Sequence, residues 1–313
     1  MKHPLTLALT TAALLPLAAC GGGDSAQDMA ESSTPAPAQQ AEAPAAMETE
    51  QPTRSLASIL AAQPEDVKAR YAFRQPQETL EFFGVEPGMT VVEALPGGGW
   101  YSKILLPYLG EDGTLIGADY PYQLWVVNPG ATDERRAQKK TWVADWTAEA
   151  EGWRNEGDAG IAAFQMAEMP ADMQGTANAV LFVRALHNLA NYEDEAGTLT
   201  SAIEDAYDAL KPGGIAGVIQ HEARPDMSDE WADGSNGYLK RDFVIERMEA
   251  EGFELVDSSD MHANPNDQPT EEDIVWRLPP GLATSQDDPE LQEQMRRIGE
   301  SNRMTLKFRK PDA

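Results

Sequence analysis

From Val91 onward, short aliphatic or β-branched runs alternate with stretches whose apolar positions recur at helical spacing. That alternation predicts an α/β domain with a mostly parallel sheet covered on both faces. The runs place strands at Thr90–Ala94, 113–118, Gly160–Gln165, 179–184, 215–220, 253–257 and 304–308. Helical spacing falls at 100–109, 195–210, 239–251 and Pro289–Ile298. Lys211-Pro212-Gly213-Gly214 is read as a helix stop that turns the chain into the fifth strand. The last two strands lack a convincing crossover helix between them, so the last strand is expected to pair antiparallel. One or two helices at 54–75 are expected over the mouth of any site at the sheet edge.

The first 53 residues follow different rules. Lys2 and His3 precede an apolar run over 5–19 that reaches Cys20. Such a run is too short for a membrane span and has the form of a secretory signal. Leu17-Ala18-Ala19-Cys20 has the form of a lipobox, and Cys20 is the only cysteine of the chain. A chain with one cysteine has no internal disulfide, which leaves diacylation as the role that accounts for its position. Residues 21–53, rich in Ala, Pro, Gln and Glu, bury too little apolar surface to order themselves and read as a flexible tether. The expected organisation is a signal at 1–20, a tether at 21–53 and one domain at 54–313. Gly21 after the lipidated cysteine favours the outer membrane, reached from the periplasm, with membrane contact through the lipid alone.

Charge narrows the partners. With 24 basic and 52 acidic residues the formal charge is −28. Acidity of this size repels phosphate backbones and anionic lipid, so no nucleic-acid partner is expected.

Candidate chemistry gathers at the carboxyl ends of the predicted strands, where open α/β sheets bind ligands. Glu93-Ala94-Leu95-Pro96-Gly97-Gly98-Gly99-Trp100-Tyr101 joins the first strand to a helix. Glycines there let a ligand approach the backbone while helix N–H groups point at it, although tight turns also use glycine for their own geometry. Asp119 ends the second strand, where a carboxylate can accept hydrogen bonds from both hydroxyls of a ribose. His187 follows the fourth strand and His221 the fifth. Both are candidates for a general base, for a metal site with Glu222, or for simple capping of strand ends. No metal ligand set is assigned, and His262, near Asn264-Pro265, reads as a surface residue. Arg184, Arg224 and Arg277 could receive an anionic acceptor or pair with acidic neighbours. Trp142, Trp146 and Trp153 could line a pocket, but core packing is the default for aromatics.

These residues resemble the Rossmann-like, S-adenosylmethionine-dependent methyltransferases, and within them an exported lipoprotein group of predicted methyltransferases. Arg74-Gln75-Pro76, Pro96-Gly97-Gly98-Gly99-Trp100-Tyr101, Leu210-Lys211-Pro212-Gly213-Gly214, His221-Glu222-Ala223 and Glu251-Gly252-Phe253-Glu254-Leu255 carry the likeness over 70–311. The resemblance implies S-adenosyl-L-methionine as cofactor and an unidentified small methyl acceptor. It implies that Glu93 fixes the loop and the donor's amino-acid end, that Pro96, Gly97, Gly98 and Gly99 let that end lie against the backbone, that Trp100 and Tyr101 either pack on the donor or bury the first helix against the sheet, and that Asp119 holds the ribose. His187 or His221 would serve as catalytic base. Leu95 stands where common methyltransferases carry glycine, Asn178 replaces an aspartate that opens the fourth strand, and Glu168 is the one candidate for the acid near the end of the third. A rival reading is a non-catalytic or metal-dependent envelope lipoprotein that retains the fold. Dinucleotide binding fits less well, because Gly-x-Gly-x-x-Gly cannot be laid onto this loop.

Overall fold

Successive side chains of a strand point to opposite faces, and here each central strand is apolar in both directions. Val91, Leu115, Leu181 and Ile219 are buried on one face of the sheet, while Val92, Ile116, Val180 and Val218 are buried on the other. A strand buried on both sides must sit in the middle of a three-layer α/β structure. The computed structural model describes residues 55–312. Cys20 and the segment 21–53 lie outside the described residues.

Four short helices open the domain: α1 (Leu56–Ala61), α2 (Glu65–Lys68), α3 (Tyr71–Arg74) and α4 (Pro76–Phe83). Next come β1 (Thr90–Ala94), α5 (Ser102–Leu109) and β2 (Thr114–Asp119). Between β2 and the next strand lie α6 (Tyr122–Val127), α7 (Asp133–Lys140) and α8 (Trp142–Glu151). β3 (Gly160–Gln165) and β4 (Ala177–Val183) are followed by α9 (Leu186–Ala190), α10 (Glu193–Ala196) and α11 (Thr198–Ala209). The chain ends with β5 (Leu210–His221), α12 (Arg241–Ala250), β6 (Glu254–Ser259), α13 (Pro289–Ile298) and β7 (Arg303–Arg309).

The seven strands run in the order β3-β2-β1-β4-β5-β7-β6. Pairs among β1 to β5 are parallel, and β7 inserts antiparallel between β5 and β6. This is the doubly wound sheet with an antiparallel last strand that the sequence predicts. The chain first grows outward from β1 through β2 to β3 and then returns to β4 on the other side of β1. That reversal leaves a crevice outside the carboxyl ends of β1 and β4, the usual ligand position in such sheets.

Two local expectations are corrected. The stretch Lys211-Pro212-Gly213-Gly214 is not a plain stop before the fifth strand: β5 already begins at Leu210. Leu210 pairs with Ala177, Ile215 pairs with Ala179, and the four residues form a bulge between those pairs, with Gly213 left-handed at φ 75°. A bulge absorbs extra residues without breaking the ladder. The predicted helix 195–210 is in fact two, because Gly197 takes φ 60° between α10 and α11.

β2 and α8 meet through Gly117, where a Cβ would lie 2.6 Å from the Trp146 ring. Trp146 is itself buried and stacks on Trp142 with centroids 5.5 Å apart. Gly117→Ala is therefore expected to destabilise the domain by about 1–3 kcal/mol, the usual cost of overpacking. A urea midpoint unchanged by Gly117→Ala would contradict this packing.

Candidate active site

Residues that follow β1, β2, β4 and β5 converge on a cleft of about 590 Å³. Leu95, Pro96, Gly97, Gly98 and Trp100 come from the loop after β1, Tyr120 from the end of β2, and Arg184 and His187 from the segment after β4. His221 closes β5. Gln63, Asp66 and Arg74 reach it from the N-terminal helices, and Ser301 and Glu300 from the segment before β7. A cleft of this size suits a small molecule.

The glycine loop is built around unusual backbone angles. Leu95, Gly97 and Gly99 are left-handed, at φ 53°, 56° and 75°. Leu95 thus holds the conformation that glycine adopts freely, at a cost of about 1–2 kcal/mol for a residue with a Cβ, and its N–H is tied to Ala118 O at 2.7 Å. Gly98 has open space where a Cβ would lie, whereas a Cβ on Gly99 would sit 2.4 Å from the Trp153 ring. Gly99 is consequently required by packing under the loop and does not line the cleft, and Gly98 presents bare backbone to it.

Two of the residues proposed for the donor face away from the cleft. Tyr101 is buried and donates its hydroxyl to Arg74 O at 3.3 Å. Glu93 is buried and accepts from Ser102 Oγ at 2.6 Å, which ties the end of β1 to the first turn of α5. Burial pushes the Glu93 carboxyl up to about 8, partly opposed by the Ser102 hydrogen bond.

Asp119 is also buried, and both of its oxygens accept from Lys139 Nζ, at 2.9 and 2.6 Å. Lys139 is the one buried residue of α7. Its ammonium lies over Tyr120, Trp125 and Trp142, 5.3, 4.9 and 5.8 Å from the ring centroids. Burial raises Asp119 and lowers Lys139, and the pair's mutual attraction opposes both shifts. Sequence reading missed Lys139. Its signal was a lysine 20 positions after the acid, in a polar helix flanked by aromatics.

Both histidines are held by hydrogen bonds, and for His187 the partner also defines the proton. Gln220 Nε2 donates to His221 O and Gly237 O, at 3.2 and 3.1 Å, so its Oε1 faces His187 Nδ1 at 3.2 Å. Nδ1 of His187 therefore carries the proton and Nε2 keeps a lone pair. His221 Nδ1 lies 2.5 Å from Ser301 Oγ, which accepts from Arg303 Nε at 3.2 Å. The rings are 5.1 Å apart. Burial lowers His187 to about 4, against the Gln220 bond that raises it, and burial with the neighbouring His187 and Arg303 lowers His221 well below its ordinary range.

His262 is buried rather than on the surface. Its ring nitrogens lie 2.7 Å from Thr305 Oγ1 and 3.0 Å from Arg74 O. It joins β7 to the N-terminal helices outside the cleft, and its local Asn-Pro context gave no hint of partners so far away in sequence. Arg224 pairs with Asp226 and Arg277 with Asp267. Arg184 alone of these three enters the cleft. Glu222 is held by Arg241 at 2.8 Å. Trp153 packs beneath the loop at Gly99, Trp146 of α8 packs against β2 at Gly117 with Trp142 stacked on it, and none of the three lines the cleft.

No family model and no curated protein matches the chain. Among solved structures it is similar to a SAM dependent methyltransferase from Aquifex aeolicus, at 14% identity and TM-score 0.43, over 79% of this chain and 98% of that one. It is also similar to the 1,6-didemethyltoxoflavin-N1-methyltransferase of Burkholderia thailandensis, whose structure holds 1,6-didemethyltoxoflavin and S-adenosylhomocysteine. That match has 13% identity and TM-score 0.41, over 82% and 89% of the two chains. A third is an arsenic(III) S-adenosylmethionine methyltransferase from Chlamydomonas reinhardtii, at 15% identity and TM-score 0.42, over 82% and 73%. The chain's own strand order and antiparallel β7 define its class as an α/β, Rossmann-like methyltransferase fold.

Two outcomes follow from the buried charges. Asp119→Ala leaves the Lys139 ammonium buried without its partner and is expected to cost about 3–5 kcal/mol in urea unfolding, whereas a combined Asp119→Leu and Lys139→Met change costs far less. Equal losses in the two proteins would contradict a paired Lys139. Because His187 and His262 titrate near 4 in the folded chain but near 6.5 when unfolded, the unfolded state takes up protons first. Stability should therefore fall between about pH 6.5 and 4, by up to ~1.4 kcal/mol per pH unit per histidine. His187→Gln should reduce that slope, and an unchanged slope would contradict a neutral buried His187.

Proposed function

We propose that the protein is an S-adenosylmethionine-dependent methyltransferase acting on a small acceptor, with the cleft outside β1 and β4 as its active site. The supporting observation is the loop Leu95–Trp100, which turns bare glycine backbone into a small-molecule cleft at the reversal of strand order. The residues present fit the donor's amino-acid end, since the space beside Gly98 is one that any side chain would fill. At the ribose end they do not fit as they stand. Asp119 commits both oxygens to Lys139 and does not line the cleft.

Bound here, the donor would supply an electrophilic methyl group on a sulfonium. Transfer then asks of the chain mainly that it hold the acceptor in line and keep water out. Where the acceptor must lose a proton, His187 Nε2 is the atom to take it, with Gln220 holding the ring through Nδ1. With its pKa near 4, His187 is neutral and able to accept at physiological pH. It is a weak base and suits a proton lost late, as the new bond forms. His221, its ring centroid 5.1 Å from that of His187, lines the same cleft and offers a second imidazole to the acceptor.

Beyond the described residues, lipid on Cys20 and the 21–53 tether would hold this domain at the outer membrane on its periplasmic side. Palmitate labelling of the wild-type chain and its loss in Cys20→Ser tests that attachment.

Calorimetry of the full chain with S-adenosylmethionine and S-adenosylhomocysteine tests the function. Saturable binding is expected, weakened at least tenfold by Gly98→Val, which fills the open space by the loop, with no change in unfolding temperature. The absence of both a binding heat and a thermal shift at millimolar ligand would contradict the proposal.

A further inference from the structure

The inner wall of the cleft carries more positive charge than its neighbours balance, in a chain whose formal charge is −28. Three guanidiniums, of Arg70, Arg74 and Arg303, gather on one buried carboxylate, Glu300, and a fourth, of Arg184, lies within its electrostatic reach. Arg70 Nε donates to Glu300 Oε1 at 2.6 Å, Arg303 donates to Oε2, and Arg74 Nε stands 3.8 Å from Oε1. Arg303 also donates to Phe73 O at 3.1 Å. Burial by itself would raise Glu300, but Arg303, Arg74 and Arg70 outweigh it and hold the carboxyl below its usual range. Glu300 is therefore fully ionised and still supplies one negative charge against four positive ones.

The remainder falls on two side chains that line the cleft. Arg74 is 6% exposed, and its buried Nε has no hydrogen-bond partner among the described residues. Its guanidinium lies over Trp100, 4.4 Å from the ring centroid, which orients its plane. Arg184, on the segment after β4, has no hydrogen bond or ion pair to its guanidinium among the described residues. Burial and the other arginines push Arg184 down to about 10 and Arg74 down to about 9. A half-buried guanidinium without a protein partner, on the wall of a cleft, has its N–H donors free for a ligand's charge. Asp66 and Lys103, both exposed, also line the cleft and carry one charge of each sign.

We propose that Arg184 and Arg74 form an oxyanion subsite, which takes the carboxylate or phosphate group of the molecule that the cleft accepts as substrate. The planar fork of a guanidinium matches both groups through paired N–H donors. His187 stands beside this subsite on the same segment as Arg184, so an acceptor anchored by its anion presents its nucleophile to Nε2 of His187. Calling that molecule the methyl acceptor rests on the methyltransferase reading, whereas the subsite itself rests on the arginines.

The test titrates the full chain with inorganic phosphate and with acetate, against chloride at matched ionic strength, by calorimetry and thermal unfolding. Saturable binding of phosphate or acetate beyond the chloride control is expected. Arg184→Met should weaken it at least tenfold. Asn188→Asp, which adds a carboxylate to the cleft wall without removing an arginine, should do the same, and it serves if Arg184→Met does not fold. Equal behaviour of phosphate, acetate and chloride overturns the subsite, as does full affinity in both variants.

Repeating the titration with saturating S-adenosylhomocysteine, and with 5′-methylthioadenosine, which lacks the amino-acid end, separates the sources of the anion. Undiminished phosphate binding beside S-adenosylhomocysteine supports an acceptor anion. Competition by S-adenosylhomocysteine but not by 5′-methylthioadenosine assigns the arginines to the donor's own carboxylate and overturns the acceptor assignment. Phosphate binding in a protein that takes neither nucleoside upholds the subsite and removes the methyltransferase reading instead.

Discussion

Glu300 joins the two ends of the domain. It lies just before β7, and its carboxylate receives Arg70 and Arg303 while Arg74 stands close by. Through it the helices that precede the sheet are held to the strand that closes it. His262 repeats the connection nearby, with one ring nitrogen toward Thr305 of β7 and the other toward Arg74 O. The N-terminal helices are short, and none of residues 65–68 in α2 is buried. Helices of this length are marginal alone and depend on tertiary contacts. The buried ionic link joins the packing of Leu56, Ile59, Leu60, Leu80 and Phe83 into the core in holding Arg74 and Gln63 against the cleft. A carboxylate at 3% exposure surrounded by guanidiniums satisfies the rule that buried charge must be paired. It also leaves the surplus of guanidinium charge that gives the cleft its character.

Burial keeps the two cleft histidines neutral, and the same charge surplus adds to it. Positive charge from Arg184 and Arg303 adds to burial at His221, and Arg184 adds to it at His187. A protonated imidazole would be repelled by its surroundings, so the rings can accept or pass a proton but not hold a second one at neutral pH. Strained backbone concentrates at the same edge: Leu95 and Arg184, each just beyond the end of a central strand, adopt left-handed angles at φ 53° and 55°. Residues held so are commonly found where a site is pre-shaped for a ligand. The loop retains the path that glycine would allow, with a leucine side chain added to the cleft wall.

Much of the sheet was legible in the sequence because its strands are apolar on both faces and are bounded by glycine, proline and charge. Thr90–Ala94 and Gly160–Gln165 coincide with the predicted strands, and the antiparallel β7 follows from the missing crossover. The helices between β2 and β3 were not legible. α7, Asp133–Lys140, is nearly all charged and shows no apolar stripe, and it is placed by one lysine that seeks a buried acid. The cleft was legible as a position, at the ends of β1, β4 and β5, and in Gly97, Gly98, Trp100, His187 and His221 as lining residues. Periodicity could not show that Asp119 is engaged by Lys139, that Gly99 answers to Trp153, or that Glu300 gathers arginines more than two hundred residues away. Those facts depend on tertiary approach, and no local pattern encodes them.

The central claim is that the loop after β1 and the edge of the neighbouring strands form the binding site for a methyl donor. Amide hydrogen exchange of the full chain, with and without millimolar S-adenosylmethionine, tests it most directly. The account predicts slower exchange at Leu95–Tyr101 and along the segment from Tyr120 to Lys140, where a ribose would have to meet the Asp119–Lys139 pair. Identical exchange in both segments with and without the donor would contradict it.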